Sequence, residues 1–194
     1  MRLTQLEHAV DFTLPAPFIL HRVQRLRSRR GAVAIGALRL PPRGLLLGRF
    51  DLPDDEVGYF AESGETAVYE TLARREATAL ALSAVAARAL LTLRTTSSLK
   101  LIDLRFHANA WPVLQSLRYN LTQGLSRDAR DLGYQGIVYR SSQQYGADCF
   151  AIFGRGPLAS LRLESRVPLR QPGTGALHRS VADAVRGSMV PVVE

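Results

Sequence analysis

An arginine, a tyrosine and a glutamate fall within one stretch, GRFDLPDDEVGYFAESGETAVYE, as Arg49, Tyr59 and Glu70. They stand ten and eleven residues apart, each in a different kind of local sequence. A guanidinium fork matches the oxygens of a diphosphate, a flat phenol ring packs on a heteroaromatic base, and a carboxylate stabilises positive charge developing on a ribose. Those are the needs of a site that cleaves the N-glycosidic bond between ribose and nicotinamide. Each residue also has an ordinary reading. Arg49 suits a solvated charge, Tyr59 in VGYFA suits core, and Glu70 suits a helix surface, paired with Arg74 one turn on for about 0.2–0.5 kcal/mol.

The elements around them are legible from period and punctuation. VGYFA is rich in Val, Tyr and Phe and reads as a short buried strand. SGET followed by AVYETLARRE reads as a helix start at Ser63 or Thr66, with Glu65 near its positive end and Ala67, Leu72 and Ala73 facing inward. The helical signal continues weakly from Ala77 to Ala87. Before the motif, FILHRVQRLRSRR reads as a strand running into a basic loop, and Pro41-Pro42 with Gly44 breaks regular structure. ALLTLRT and LKLIDL, separated by Thr-Ser-Ser, read as a hairpin. LTQGLSRDARDLG reads as an amphipathic helix with Leu121, Leu125, Ala129 and Leu132 on one face and Gly133 at its end. GIVYR, CFAIF and SLRLES read as further strands. Strands and helices in this irregular alternation predict an α+β single domain with a mixed central sheet rather than a doubly wound one. The division expected is a catalytic domain over 1–167 and a tail over 168–194 carrying one short helical pattern, ALHRSVADAVR.

Composition bounds the rest. The 194 residues fit one core, and 46% hydrophobic with 22% charged residues is an ordinary globular balance. A net charge of +8 favours an anionic ligand or partner without naming it. The single cysteine, Cys149, forms no internal disulfide and builds no zinc site. Its ADCFAIF setting reads as buried strand, and a cytoplasmic protein without a metal is expected. MRLTQLEHAV lacks the layout of a secretory signal, and Arg88 interrupts the most apolar segment, so no membrane span is expected. Neither common glycine-rich phosphate loop is present.

Taken in order, GRF, YFAESGETAVYETL, LTQGLSRDARDLGYQGIVYRSS and CFAIF resemble the RES domain family over roughly Arg22 to Phe153. That family usually reads Gly-Arg-Trp-Asn, then Tyr-x-Ala-x-Ser-x-x-Thr-Ala-x-x-Glu, then a helix, then Gly-x-x-Tyr-x-Ser. The resemblance places the family arginine on Arg49, the tyrosine on Tyr59, the glutamate on Glu70 and the serine on Ser141. It implies a fold similar to the ADP-ribosyltransferase toxins. It also implies a toxin that consumes NAD+ by glycosidic cleavage and is held inactive by an Xre-type helix-turn-helix antitoxin. Arg49 would then hold the diphosphate or an attacking inorganic phosphate, Tyr59 would stack on nicotinamide, Glu70 would stabilise the ribosyl cation, and Ser141 would position substrate. Phe50-Asp51 departs from the family's Trp-Asn, and an acid there is expected to weaken anion binding.

Three acceptors remain open: phosphate, water, or a protein side chain, the last giving ADP-ribosylation of a target. No serine-centred elbow surrounds Ser141, and none of His8, His21, His107 and His178 is placed to activate it. The run Arg22, Arg25, Arg27, Arg29, Arg30 admits a rival, a non-catalytic basic protein that binds a partner or nucleic acid. It lacks aromatic interleaving and any helix-turn-helix, zinc or RNA-recognition signature. Nucleic acid is therefore expected only indirectly, through the antitoxin.

Overall fold

One eight-stranded sheet organises the molecule, and its strands read differently from each side. The computed structural model describes residues 2–6, 10–116 and 118–194; His8 lies outside them. The strands are β1 (Val10–Leu14), β2 (Ile19–Arg25), β5 (Val57–Ala61), β7 (Arg88–Thr95), β8 (Leu99–Asp103), β9 (Gly136–Arg140), β10 (Asp148–Phe153) and β11 (Leu161–Pro168). They lie in the order β1-β8-β9-β10-β5-β2-β7-β11, antiparallel throughout except for the parallel pair β8–β9. A short hairpin, β3 (Val33–Ile35) with β4 (Leu38–Leu40), and a parallel pair, β6 (Leu80–Ala81) with β12 (Val192–Val193), stand apart from it. The architecture is the expected mixed α+β domain with one large mixed sheet.

Both faces of the sheet are covered, so its central strands are apolar almost without interruption. In β10, Cys149, Ala151 and Phe153 face one core, while Phe150 and Ile152 face the other. The first core is roofed by α1 (Gly64–Thr71), α3 (Tyr119–Asp131) and α5 (Arg179–Ser188) through Val68, Leu125, Ala129, Val181 and Ala184. The second is closed by the β3–β4 hairpin and by α4 (Arg155–Ala159) through Leu38, Leu40 and Leu158. A fifth helix, α2 (Leu82–Ala86), lies between β6 and β7. Among the described residues, no helix is long and apolar enough to cross a membrane.

One joint in the sheet is weak, and it matters most. β2 runs beside β7 from Ile19 to Arg25, but meets β5 at a single residue pair, His21 opposite Ala61. Beyond that pair the two strands part. Arg22 Nη1 reaches across the gap and donates to the Tyr59 carbonyl at 2.8 Å, doing with a side chain what a ladder bond would otherwise do.

Three expectations change. The runs around β7 and β8 do not form a hairpin: β7 lies between β2 and β11, whereas β8 lies between β1 and β9. At the turn, Thr95 N–H is taken by the Phe18 carbonyl and Thr96 N–H by the Ser160 carbonyl, so long-range partners win over local closure. Leu132 is 65% exposed, because α3 ends at Asp131 and Leu132 is its C-cap, leaving Leu125 and Ala129 to carry the buried face. The alanine-rich stretch after α1 is only β6 and the five-residue α2.

The start of α1 is as read: Ser63 is the N-cap, and its hydroxyl accepts from Thr66 N–H at 3.0 Å. Ser63→Ala should lower stability by about 0.5–2 kcal/mol, measured by urea unfolding. No change would mean that packing alone sets the position of this helix.

Candidate active site

Where β2 leaves β5, a cavity of about 270 Å³ opens under α1, and Arg49, Tyr59 and Glu70 all line it. Arg22, Arg74 and Tyr139 line it as well. Alternation sets the aim of Tyr59: on β5, Val57, Tyr59 and Ala61 face the helical layer, and Phe60 faces away. Helical geometry sets Glu70, which follows Ala67 by three residues on α1 and lines the cavity with it.

Arg49 sits on a loop that α3 holds in place. Thr122 Oγ1 donates to the Arg49 carbonyl at 2.5 Å, and Gln123 Nε2 donates to the carbonyls of Leu46 and Gly48 at 3.0 and 2.9 Å. The arginine is 7% exposed. Its Nη2 donates to Ser142 Oγ at 2.6 Å, while Nε and Nη1 are buried and have no partner among the described residues. The guanidinium carbon lies 5.8 Å from the centre of the Tyr139 ring, a cation–π contact. Buried N–H groups rarely stay unpaired, so this arginine is set to receive an acceptor.

Tyr59 is fixed by its hydroxyl, which donates to Asp51 Oδ1 and accepts from Phe50 N–H, both at 2.8 Å. Asp51 Oδ2 accepts from Gly48 N–H at 2.6 Å. The acid that replaces the family's amide therefore closes a loop around the tyrosine, and no ion pair joins it to Arg49 among the described residues. Gly48 is required there because a Cβ would come within 2.4 Å of the Tyr59 hydroxyl and 2.5 Å of Asp51 Oδ1.

Ser141 is 1% exposed, and its proton goes to Glu70 Oε1 at 2.5 Å. Its oxygen accepts from the backbone N–H groups of Gln143 and Gln144 at 3.0 and 2.9 Å. The same loop is latched to α1 and the residues after it. Thr66 Oγ1 donates to Gln144 Oε1 at 2.7 Å, Gln144 Nε2 donates to Glu65 at 3.2 Å, and Arg75 N–H donates to Gln143 at 2.8 Å. Glu70 is not paired with Arg74, whose carboxylate partner is Glu76 at 2.7 Å.

The four sequence-selected residues are thus brought together. Asp51, Ser142, Tyr139 and Arg22 were missed as contributors. Ser142 follows Ser141 directly, and Tyr139 stands in the same quoted motif. Arg22 had been read with the basic run, and only the parting of β2 from β5 shows that it belongs to the cavity. Burial brings its guanidinium down to about 10, still charged at neutral pH. Burial also pushes the Cys149 thiol well up, in keeping with an inert core position. His21 lines the cavity and is shifted down by burial, and His178 caps α5 by accepting from Ser180 N–H at 3.2 Å. Among the described residues no cluster of three or more His, Cys, Asp or Glu is placed to hold a metal.

The profile described as RES domain matches residues 19–172. The chain belongs to the RES domain family. No curated protein matches it. Among solved structures, a chain of the M. tuberculosis MbcT-MbcA toxin-antitoxin complex has a TM-score of 0.59 at 20% identity, covering 81% of this chain and 86% of that one. The shared fold places this RES chain among proteins built on the same mixed sheet.

Two outcomes test the geometry. Gly48→Ala should displace the Tyr59–Asp51 pair and cost about 1–3 kcal/mol in urea unfolding; an unchanged midpoint would mean that the loop yields freely. Burial, reinforced at Tyr59 by Asp51, holds the Tyr59 and Tyr139 phenols protonated well above their usual range. The Tyr59 ring is partly open to the cavity, but its hydroxyl is enclosed by Asp51 and Phe50 N–H. The stability these phenols contribute is present in full below about pH 10 and falls as pH rises further, because the unfolded phenols ionise first. In an alkaline titration followed by tyrosinate absorbance, Tyr59→Phe and Tyr139→Phe should remove signal only from the last, unfolding-linked step. Loss from the early step would contradict the burial.

Proposed function

We propose that this RES domain protein is the toxin of a bacterial toxin–antitoxin pair, and that it degrades NAD+ by cleaving the nicotinamide–ribose bond. The observation that carries this reading is the single cavity lined by Arg49, Tyr59 and Glu70, in which a buried arginine has two unpaired nitrogens and a carboxylate is held by a buried serine. The bond that breaks joins ribose C1 to the pyridinium nitrogen. Its electron pair goes to that nitrogen, so nicotinamide leaves neutral and needs no acid. Positive charge builds on the ribose, where the Glu70 carboxylate stabilises it. Ser141 positions Glu70, and Ser142 positions Arg49. The Tyr59 ring offers its face to nicotinamide.

Arg49 presents its free N–H groups to the substrate diphosphate or to inorganic phosphate, whose oxygen forms the new bond to C1 and yields ADP-ribose 1″-phosphate. Water in that place yields ADP-ribose, and a protein side chain yields an ADP-ribosylated target. The excess of arginine favours an anionic acceptor, so phosphorolysis or hydrolysis ranks above modification of a protein. The partner we expect is an Xre-type helix-turn-helix antitoxin; the neighbouring structure comes from a toxin-antitoxin complex by its own description. We place the protein in the cytoplasm, without a metal.

Purified protein mixed with NAD+, with and without inorganic phosphate, should release nicotinamide in an NMR time course. Dependence on phosphate identifies a phosphorylase, and release without it a glycohydrolase. Glu70→Gln should reduce turnover about 10²–10³-fold while leaving the fold intact. Equal turnover in that variant, or no release in either tube, would overturn the assignment.

A further inference from the structure

A second cavity, of about 310 Å³, adjoins the first and shares Arg22, Val23, Leu47 and Thr71 with it. Among the described residues six arginines line this space, Arg22, Arg25, Arg29, Arg30, Arg39 and Arg88, and no carboxylate does. None of the six is ion-paired among the described residues. Arg39 and Arg88 are instead anchored to backbone carbonyls, of Gly36 and Leu38 for the first and Ala84 for the second. Arg22 is half-buried, and its Nε, shut from water, has no partner among the described residues. Leu40, Pro41, Pro42 and Leu45 supply an apolar side to the same space.

We propose that this second cavity is the subsite for the adenylate half of the dinucleotide, with the arginines on its phosphate and the apolar side against the purine. The inference rests on the NAD+ reading above and specifies where the rest of that substrate lies. Size is the first reason. The catalytic cavity alone falls below the ~300–1,000 Å³ of pockets that bury drug-sized ligands, and a dinucleotide is large for that class. Position is the second, because the two spaces are neighbours that share four lining residues, Arg22 among them. Charge is the third. Guanidinium groups gathered without carboxylates repel one another, and Arg88 is shifted down by burial and by the charges of Arg25 and Arg29. A phosphate relieves that repulsion and accepts several N–H bonds at once. A solvated basic face would have no need of an apolar wall or of an arginine whose Nε is shut from water.

The experiment uses Arg25→Gln with Arg29→Gln, both exposed positions whose side chains have no partner to lose. Nicotinamide release is measured from NAD+ and from nicotinamide mononucleotide, which lacks the adenylate, and AMP binding is measured by calorimetry on the full chain. The preference for NAD+ over the mononucleotide, as a ratio of kcat/KM, should fall about tenfold or more, and AMP affinity should weaken by a similar factor. An unchanged ratio, or unchanged AMP binding, overturns the subsite. Loss of affinity for a single-stranded oligonucleotide with both of those quantities unchanged assigns the arginines to nucleic acid instead. If neither substrate is cleaved by any form, the catalytic reading has failed, and AMP binding to the parent and variant chains still decides this one.

Discussion

The parting of β2 from β5 after one residue pair is the constraint from which the rest of the site follows. A sheet that continued its ladder there would put backbone against backbone and leave no room for a cavity. Instead the N–H and C=O groups freed by the gap need other partners, and Arg22 meets one of them at Tyr59. Gly48 allows the Arg49 loop to approach Tyr59 closely, and Thr122 and Gln123 on α3 hold that loop by its carbonyls. The helix layer thus acts as a clamp on a place where the sheet gives way.

Arg49, buried near that gap, and Arg22, half-buried beside it, would be expensive in a purely structural role. An ionised group taken out of water needs hydrogen bonds on all sides to offset the lost hydration, and Arg22 and Arg49 have only part of them. In the function proposed above, a bound anion completes those donors.

The parts of the fold that were legible in sequence depend on local physics. Ser63 announces the α1 cap, Gly133 follows the end of α3, and CFAIF and GIVYR read as strands because both sheet faces are buried. Arg49, Tyr59, Glu70 and Ser141 could be selected because the motifs that carry the family resemblance are local too. What was not legible depends on partners far along the chain. The false hairpin after β7 came from treating neighbours in sequence as neighbours in the sheet, when Phe18 and Ser160 hold that turn. Arg22 looked like one basic residue among five, since nothing in HRVQRLRSRR tells which of them lies beside an opening in the sheet. Asp51 looked like a threat to anion binding, because its sequence position gives no hint that Tyr59 and Gly48 occupy its oxygens.

Those hydrogen bonds also narrow the chemistry open to such a site. The Tyr59 hydroxyl donates a hydrogen bond to Asp51 and accepts one from Phe50 N–H, so it is poorly placed to exchange a proton with a substrate. Ser141 is committed in the same way, to Glu70 with its proton and to two backbone N–H groups with its oxygen, which leaves it no freedom to act as a nucleophile. Glu70 keeps acceptor capacity, and Arg49 and Arg22 keep N–H groups without a partner among the described residues. Those three groups supply fixed charge rather than a proton relay. That suits a substrate whose leaving group departs neutral from a cationic nitrogen, because the barrier then lies in stabilising a ribosyl cation beside bound phosphates, and electrostatics alone can lower it.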